Sequence, residues 1–89
     1  MTIEEIIQEI DKSYAVAALE LEEHRDEVKT LSQMMRYLNV FCEVFLTFMD
    51  ESDRYFYQIC KQYPAQSYEV RHYIKTLKQQ LMSEYEPEV

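Results

Sequence analysis

This chain contains no glycine, and its only prolines are Pro64 and Pro87. Residues 1–63 therefore include neither of the two residue types that most often end an α-helix. An uninterrupted run of this length permits helices of many turns. The sequence consequently favours a helical protein before any other feature is considered.

An apolar repeat runs through most of the same stretch. Its positions, counted from Ile3 in alternate steps of four and three, are Ile3, Ile7, Ile10, Tyr14, Ala17, Leu21, His24, Val28, Leu31, Met35, Leu38, Cys42, Phe45 and Met49. Only His24 interrupts the apolar series. A seven-residue apolar repeat is typical of helices that pack against other helices along a continuous seam. We therefore expect an all-α protein in which these residues form the helix-packing seam.

Local signals divide the chain into three helices. Thr2 with Glu5, and Thr30 with Gln33, have the spacing of a capping box at the beginning of a helix. Pro64 is expected to end the middle helix. These signals predict helices at about 3–26, 31–62 and 65–85, and a frayed tail at 86–89. The polar run Asp50 to Asp53 suggests a bend in the middle helix.

The predicted architecture is a single helical domain, residues 1–89, folded as a small antiparallel three-helix bundle or helical hairpin with coiled-coil-like packing. An alternative remains open, because the apolar repeat continues through 24–30 without a change of phase. In that case residues 24–30 would be helical and the chain would form one helix of up to about 60 residues. So long a helix would have to pair with another as an extended coiled coil.

The segment 34–49 is apolar around most of its circumference, since only Arg36, Asn39, Glu43 and Thr47 are polar. A helix of this kind is usually buried, and two short helices of the same chain cannot cover all of it. We expect a partner interface on this helix and on a Tyr-rich corner around Pro64. The predicted interface residues are Met34, Tyr37, Phe41, Val44, Phe48, Tyr55, Phe56 and Tyr63.

Charge limits the kinds of partner. The chain has 17 Asp and Glu against 9 Lys and Arg, a net charge of −8. Nucleic-acid binding rests on clustered basic residues, so nucleic acid is not an expected partner. The first helix carries eight of the 17 acids, and a basic flank of Arg71, Lys75 and Lys78 in the last helix is expected beside it.

Common catalytic motifs are missing. P-loops, Rossmann turns and nucleophile elbows all need glycine. His24 lies among Glu20, Glu23 and Glu27, but the chain has only one Glu-x-x-His pair, Glu69 with His72, where helical di-metal sites use two. We therefore expect no catalytic residue, no metal, no cofactor and no small-molecule substrate.

Two further expectations concern the cellular setting. The two cysteines, Cys42 and Cys60, match no metal-binding spacing, so they are expected to be buried, reduced thiols. The acidic beginning of the chain does not resemble a secretory signal, and no apolar stretch is long enough to cross a membrane. These features predict a cytoplasmic protein without a membrane partner.

The function predicted from these patterns is that of a non-catalytic protein-protein interaction module. Its nearest concrete form is a small acidic helical chaperone or adaptor that binds a partner protein or itself, so that the chain is not a free monomer. The alternative is an acidic inhibitor of the kind that phages encode, or an anti-sigma- or antitoxin-like protein, which blocks a basic nucleic-acid-binding site of an enzyme. A helical-bundle metalloprotein is a more distant alternative.

Overall fold

The computed structural model describes residues 1–87 and contains three α-helices in that range. Helix α1 spans Ile3–Asp26, α2 spans Leu31–Gln62 and α3 spans Ser67–Tyr85, with a short 3-10 turn, Pro64–Gln66, between α2 and α3. The helices pack as an antiparallel bundle in which α2 runs against both α1 and α3. The all-α fold predicted from the sequence is confirmed.

Both capping boxes form. The Thr2 hydroxyl accepts a hydrogen bond from the Glu5 backbone N–H at 3.2 Å, and the Glu5 carboxylate accepts one from the Thr2 N–H at 3.0 Å. Thr30 and Gln33 make the same reciprocal pair at 3.2 and 3.1 Å. The chain therefore turns between α1 and α2, and the alternative of one continuous helix is not formed.

The middle helix does not break at the polar run where a bend was expected. The Ser52 hydroxyl donates to the Met49 carbonyl at 3.0 Å, and the Asp50 carboxylate pairs with Arg54 at 2.7 Å. Glu51 accepts a hydrogen bond from Ser13 on α1, and Asp53 pairs with Lys78 on α3. The polar groups thus have partners within α2 or on the neighbouring helices, and the helix continues to Gln62. At the other end of the chain α3 ends at Tyr85; of the predicted frayed tail 86–89, residues 88 and 89 lie outside the described residues.

One hydrophobic core lies between the three helices. Its buried residues are Ile6, Ile10, Ala17 and Leu21 from α1, Tyr37, Phe41, Val44, Phe48 and Ile59 from α2, and Val70, Ile74, Leu77, Leu81 and Tyr85 from α3. Tyr14 and Phe48 meet edge to face at 5.9 Å between ring centroids. The Tyr37 hydroxyl donates to the Tyr85 carbonyl at 2.6 Å and so joins α2 to the end of α3.

The predicted seam is only half correct. On α1 it holds, since Ile10, Ala17 and Leu21 are buried. On α2 it is wrong, because the seam residues Leu31 and Met35 are exposed. The turn at 27–30 resets the helical phase, and the aromatic face of α2 packs inward instead, which buries larger side chains.

The basic flank of α3 also lies elsewhere than expected. Lys78 Nζ lies 3.5 Å from Asp53 Oδ1 on α2, and Arg71 and Lys75 border the same hollow. The basic flank therefore lies beside α2 rather than beside the acidic α1. Near the basic flank, α1 and α3 are joined by a hydrogen bond that the Tyr73 hydroxyl donates to the Asp11 carboxylate.

Candidate protein-binding surface

Four of the residues predicted to form a partner interface lie in the core of the bundle. Tyr37, Phe41, Val44 and Phe48 are all buried against α1 and α3. Met34 is half-buried at the edge of the same cluster. Because the neighbouring helices of the same chain already cover this face, these side chains offer little or no surface to a partner, and the predicted location of the interface on α2 needs correction.

The predicted aromatic corner is partly core as well. Tyr55, Phe56 and Tyr63 are half-buried and pack against the core cluster. The Tyr63 hydroxyl donates to the Met1 carbonyl at 2.8 Å, which fastens the beginning of the chain to the end of α2. More accessible aromatic rings at this corner belong to Tyr57 and Tyr68, which were not in the predicted set.

The surface left open on α2 is the face that was predicted to be the seam. We call it the outer stripe, and its residues are Leu31, Met35, Leu38, Cys42, Phe45 and Met49. Leu31 is 78% exposed, Met35 62% and Leu38 40%. Cys42 is exposed, whereas Phe45 and Met49 are half-buried. The stripe thus keeps the four-three spacing of a helix-packing seam on the outside of the bundle.

Two features extend the outer stripe. Leu46, 62% exposed, lies one position after Phe45 and widens the apolar surface. At the beginning of α2 the stripe borders an open hollow of about 530 Å³. Its apolar lining comes from Val28, Leu31, Met34, Met35, Leu38 and Pro87. Contiguous exposed apolar surface of this kind is typical of interaction sites on small proteins.

A row of charged residues flanks the outer stripe on one side. Arg36, Glu43 and Asp50 follow one another at intervals of seven residues on α2, Lys29 lies in the turn that precedes the helix, and all four side chains are exposed. The Asp50 carboxylate also forms the pair with Arg54 within α2. The row is basic at the beginning of the helix and acidic towards its middle, so the charge beside the stripe changes sign along α2.

The two cysteines are placed differently from the prediction. Cys42 and Cys60 are exposed, and neither forms a disulfide. Cys42 lies within the outer stripe, whose assignment to the interior was the reason for expecting a buried thiol. Because the outer stripe lies on the surface of the bundle, the Cys42 thiol is exposed.

The histidines are not assembled with carboxylates. The half-buried His24 donates from Nδ1 to the Glu20 carbonyl oxygen at 2.8 Å, within its own helix. His72 and Glu69 are exposed on α3. Within residues 1–87, no group of three or more His, Cys, Asp or Glu side chains is placed to hold a metal ion.

The acidic residues of α1 form an exposed surface on another part of the bundle. Between Glu4 and Glu27 the acids with exposed side chains are Glu4, Glu5, Asp11, Glu20, Glu22, Glu23, Asp26 and Glu27. Glu5 belongs to the capping box, and its hydrogen bonds with Thr2 lower the pKa of the Glu5 carboxyl. The remainder of this surface faces solvent.

The apolar residues of the outer stripe are recognisable in the sequence, but their spacing predicted that they lie in the interior. The signal that could have separated the two faces of α2 is side-chain size, because one face carries Tyr37, Phe41 and Phe48 and the other mostly aliphatic and sulfur-containing residues. Large aromatic side chains bury more surface per residue. That difference favours placing the aromatic face inside.

No helix within the described residues is long and apolar enough to cross a lipid bilayer. Comparison of the chain with protein-family models, with curated proteins and with solved structures finds no match.

Proposed function

We propose that this protein is a non-catalytic protein-protein interaction module that binds a helix of another polypeptide along the outer stripe of α2. The observation that supports the proposal is the exposure of Leu31, Met35 and Leu38 at the four-three spacing of a helix-packing seam. That spacing is the one that lets the side chains of two helices interlock. Function as a small chaperone or adaptor, which shields a helical segment of its client, agrees with this surface.

The energetics favour such a contact. Burial of a large apolar side chain contributes about 1.5 to 3 kcal/mol when it is complete. Leu31, Met35 and Leu46 each leave more than half of their accessible surface in water. The helix that carries them is already folded by the core, so binding costs little additional ordering on this side of the interface.

Two substitutions test the proposal. Leu38→Glu places a charge in the middle of the outer stripe, whereas Leu19→Glu places the same charge at an exposed apolar position on α1, 58% accessible. Both sites are exposed enough for the bundle to fold. We expect the wild type and Leu19→Glu to retain the same bound proteins when used as bait in extract of the source organism, and Leu38→Glu to lose them.

The comparison between the two variants decides the outcome. Bound proteins, including other copies of the chain, that disappear only with Leu38→Glu support the outer stripe as the binding surface. Identical sets of bound proteins on both variants would contradict it. Circular dichroism of each variant establishes that the helices are intact.

A second function has its own support in the acidic surface of α1. Its exposed carboxylates suit an inhibitor that occupies the basic nucleic-acid-binding site of an enzyme. In the same capture experiment, such a target would be a basic protein that the Leu38→Glu variant still binds. A double variant, Glu20→Lys with Glu23→Lys, should release it. Retention by the double variant would exclude this function.

A further inference from the structure

We infer that the outer stripe binds the outer stripe of a second copy of this chain, with the two α2 helices antiparallel. The inference rests on the proposed function and adds the identity and orientation of the partner. Two independent properties of α2 lead to it. The first is the symmetry of the stripe, and the second is the order of charges along its flank.

The outer stripe matches itself in one antiparallel alignment. When the two helices cross at residue 40, Leu31 lies opposite the partner's Met49. Met35 then lies opposite the partner's Phe45, and Leu38 opposite the partner's Cys42. Every residue of the stripe meets an apolar residue of the other copy. A shift by one heptad in either direction would leave apolar residues at the ends of the stripe in water.

The flanking charges match in the same alignment. Arg36 lies within one residue of the level of the partner's Glu43, and Lys29, in the turn that precedes α2, lies near the level of the partner's Asp50. The two-fold symmetry produces each contact twice, so four pairs of opposite charge flank the stripe. Ser32 and Asn39, which have short side chains, lie between the stripe and the basic half of the flank. The long side chains of Lys29 and Arg36 can therefore extend across to the second helix.

The parallel arrangement is disfavoured by the same residues. In a parallel, in-register pair the two-fold axis runs along the helices and places the two charged flanks on opposite sides of the interface. The four pairs of opposite charge would then not form. Charge patterns of this kind select orientation in helix pairs more than they set affinity. The flank thus selects the antiparallel dimer, and the stripe supplies the apolar contact.

The dimer is expected to be reversible. The outer stripe spans 19 residues of α2, from Leu31 to Met49, and is therefore about 27 Å long. Exposed charge pairs contribute only about 0 to 1 kcal/mol each. Each copy has a net charge of −8, which opposes association at low ionic strength. We accordingly expect a monomer-dimer equilibrium rather than a permanent dimer.

Sedimentation equilibrium of the full chain tests the assembly. We expect the wild type to approach twice its mass of 10.8 kDa as its concentration rises through the micromolar range. Leu38→Glu should remain a monomer of unchanged helicity, and Leu19→Glu should dimerise like the wild type. A wild type that is monomeric up to millimolar concentration would overturn the inference.

Charge reversal tests the orientation. Arg36→Glu and Glu43→Arg should each weaken the dimer by about tenfold, because each places like charges in two of the four pairs. The double variant exchanges the charges and should restore the wild-type affinity. In a parallel dimer the two flanks lie on opposite sides of the interface, so neither single reversal would change the affinity. Unchanged affinity of both single variants would thus overturn the antiparallel orientation.

Cysteine cross-linking tests the register. In a chain whose Cys42 and Cys60 are replaced by serine, Leu31→Cys combined with Met49→Cys should form disulfide-linked dimers through the 31–49 pair. Either substitution alone should not, because the two copies of one position lie about 27 Å apart in this alignment. Efficient cross-linking of the Leu31→Cys variant alone would show a parallel pair and overturn the inference.

Failure of this inference can be distinguished from failure of the proposed function. If the wild type is monomeric but Leu38→Glu still loses a bound protein that Leu19→Glu retains, the stripe binds a different polypeptide and only the self-association is wrong. If a dimer forms that Leu38→Glu does not disturb, the self-association through the stripe is wrong. If Leu38→Glu also changes no bound protein, the proposed function is wrong too.

Discussion

Tyrosine hydroxyls connect parts of the chain that are far apart in sequence. The Tyr37 hydroxyl donates to the Tyr85 carbonyl at 2.6 Å and the Tyr63 hydroxyl to the Met1 carbonyl at 2.8 Å. The Tyr73 hydroxyl donates to the Asp11 carboxylate. Each ring packs on apolar neighbours or on another helix while its polar tip finds an acceptor. These residues thus add directional contacts between helices whose core contacts are non-directional.

The contact between Tyr73 and Asp11 predicts a response to alkaline pH. The hydrogen bond to the Asp11 carboxylate, together with partial desolvation, raises the pKa of Tyr73 from 10.0 to about 12. The fold therefore favours the neutral hydroxyl, and its contribution to stability is complete below pH 10 and is lost as the pH rises through about 12. Wild type should lose more stability over this range than Tyr73→Phe, as measured by chemical denaturation at several pH values. A Tyr73 that ionises near pH 10 in an absorbance difference titration would contradict this account.

At the scale of elements, α2 dominates the molecule because it has two apolar faces. The face with Tyr37, Phe41 and Phe48 packs against α1 and α3, and the outer stripe is left on the outside. Residues 1–27 lie along α2 from the Tyr63–Met1 hydrogen bond at one end to the hollow shared by His24 and Gln33 at the other. The position of α2 therefore depends on its inner face and on the caps at its ends.

The beginning of α2 should depend on its cap. Thr30→Ala removes the acceptor of the Gln33 N–H and should cost about 1 kcal/mol of stability, or roughly 4 to 8 °C in melting temperature for a domain of this size. Thr30→Ser retains the acceptor and should melt close to the wild type. Thermal melts followed by circular dichroism measure the difference. Equal destabilisation by both substitutions would assign the effect to something other than the cap.

The two faces of α2 should respond in opposite ways to truncation. Phe48 is 1% exposed, so Phe48→Ala should destabilise the bundle by about 3 to 5 kcal/mol. Met35→Ala on the outer stripe should change the stability of the monomer by less than about 0.5 kcal/mol. Denaturation in the monomeric Leu38→Glu background separates folding from dimerisation. A larger loss from Met35→Ala than from Phe48→Ala would mean that the inner and outer faces are exchanged.

At the scale of the whole molecule, the bundle is a rod with Cα extents of 48 × 19 × 15 Å. Three helices side by side leave one side of each helix uncovered along its length. In so small a protein the core cannot enclose every apolar residue of a chain that is 47% hydrophobic. On α2, the apolar residues that the core does not enclose form the outer stripe.

The proposed dimer predicts a longer particle. Because the crossing point at residue 40 is displaced from the middle of α2, the two rods should be offset by about 20 Å along their axis. Small-angle X-ray scattering of the dimer should therefore give a maximum dimension about 20 Å greater than that of the Leu38→Glu monomer. A parallel, in-register dimer would have nearly the same length as the monomer, and that result would contradict the antiparallel arrangement.

The sequence by itself determined the helical class and where α1 and α2 begin, because glycine is absent and the caps at Thr2 and Thr30 act within a few residues. Pro64 likewise stops α2 through a local steric effect. Which apolar face of α2 is buried was decided only by the tertiary structure. The repeat through Leu31 and Met35 and the aromatic face are both compatible with a buried helix, and the choice between them depends on the docking of α1 and α3. Docking is a property of side-chain volumes brought together from distant parts of the chain, which spacing along one helix does not specify.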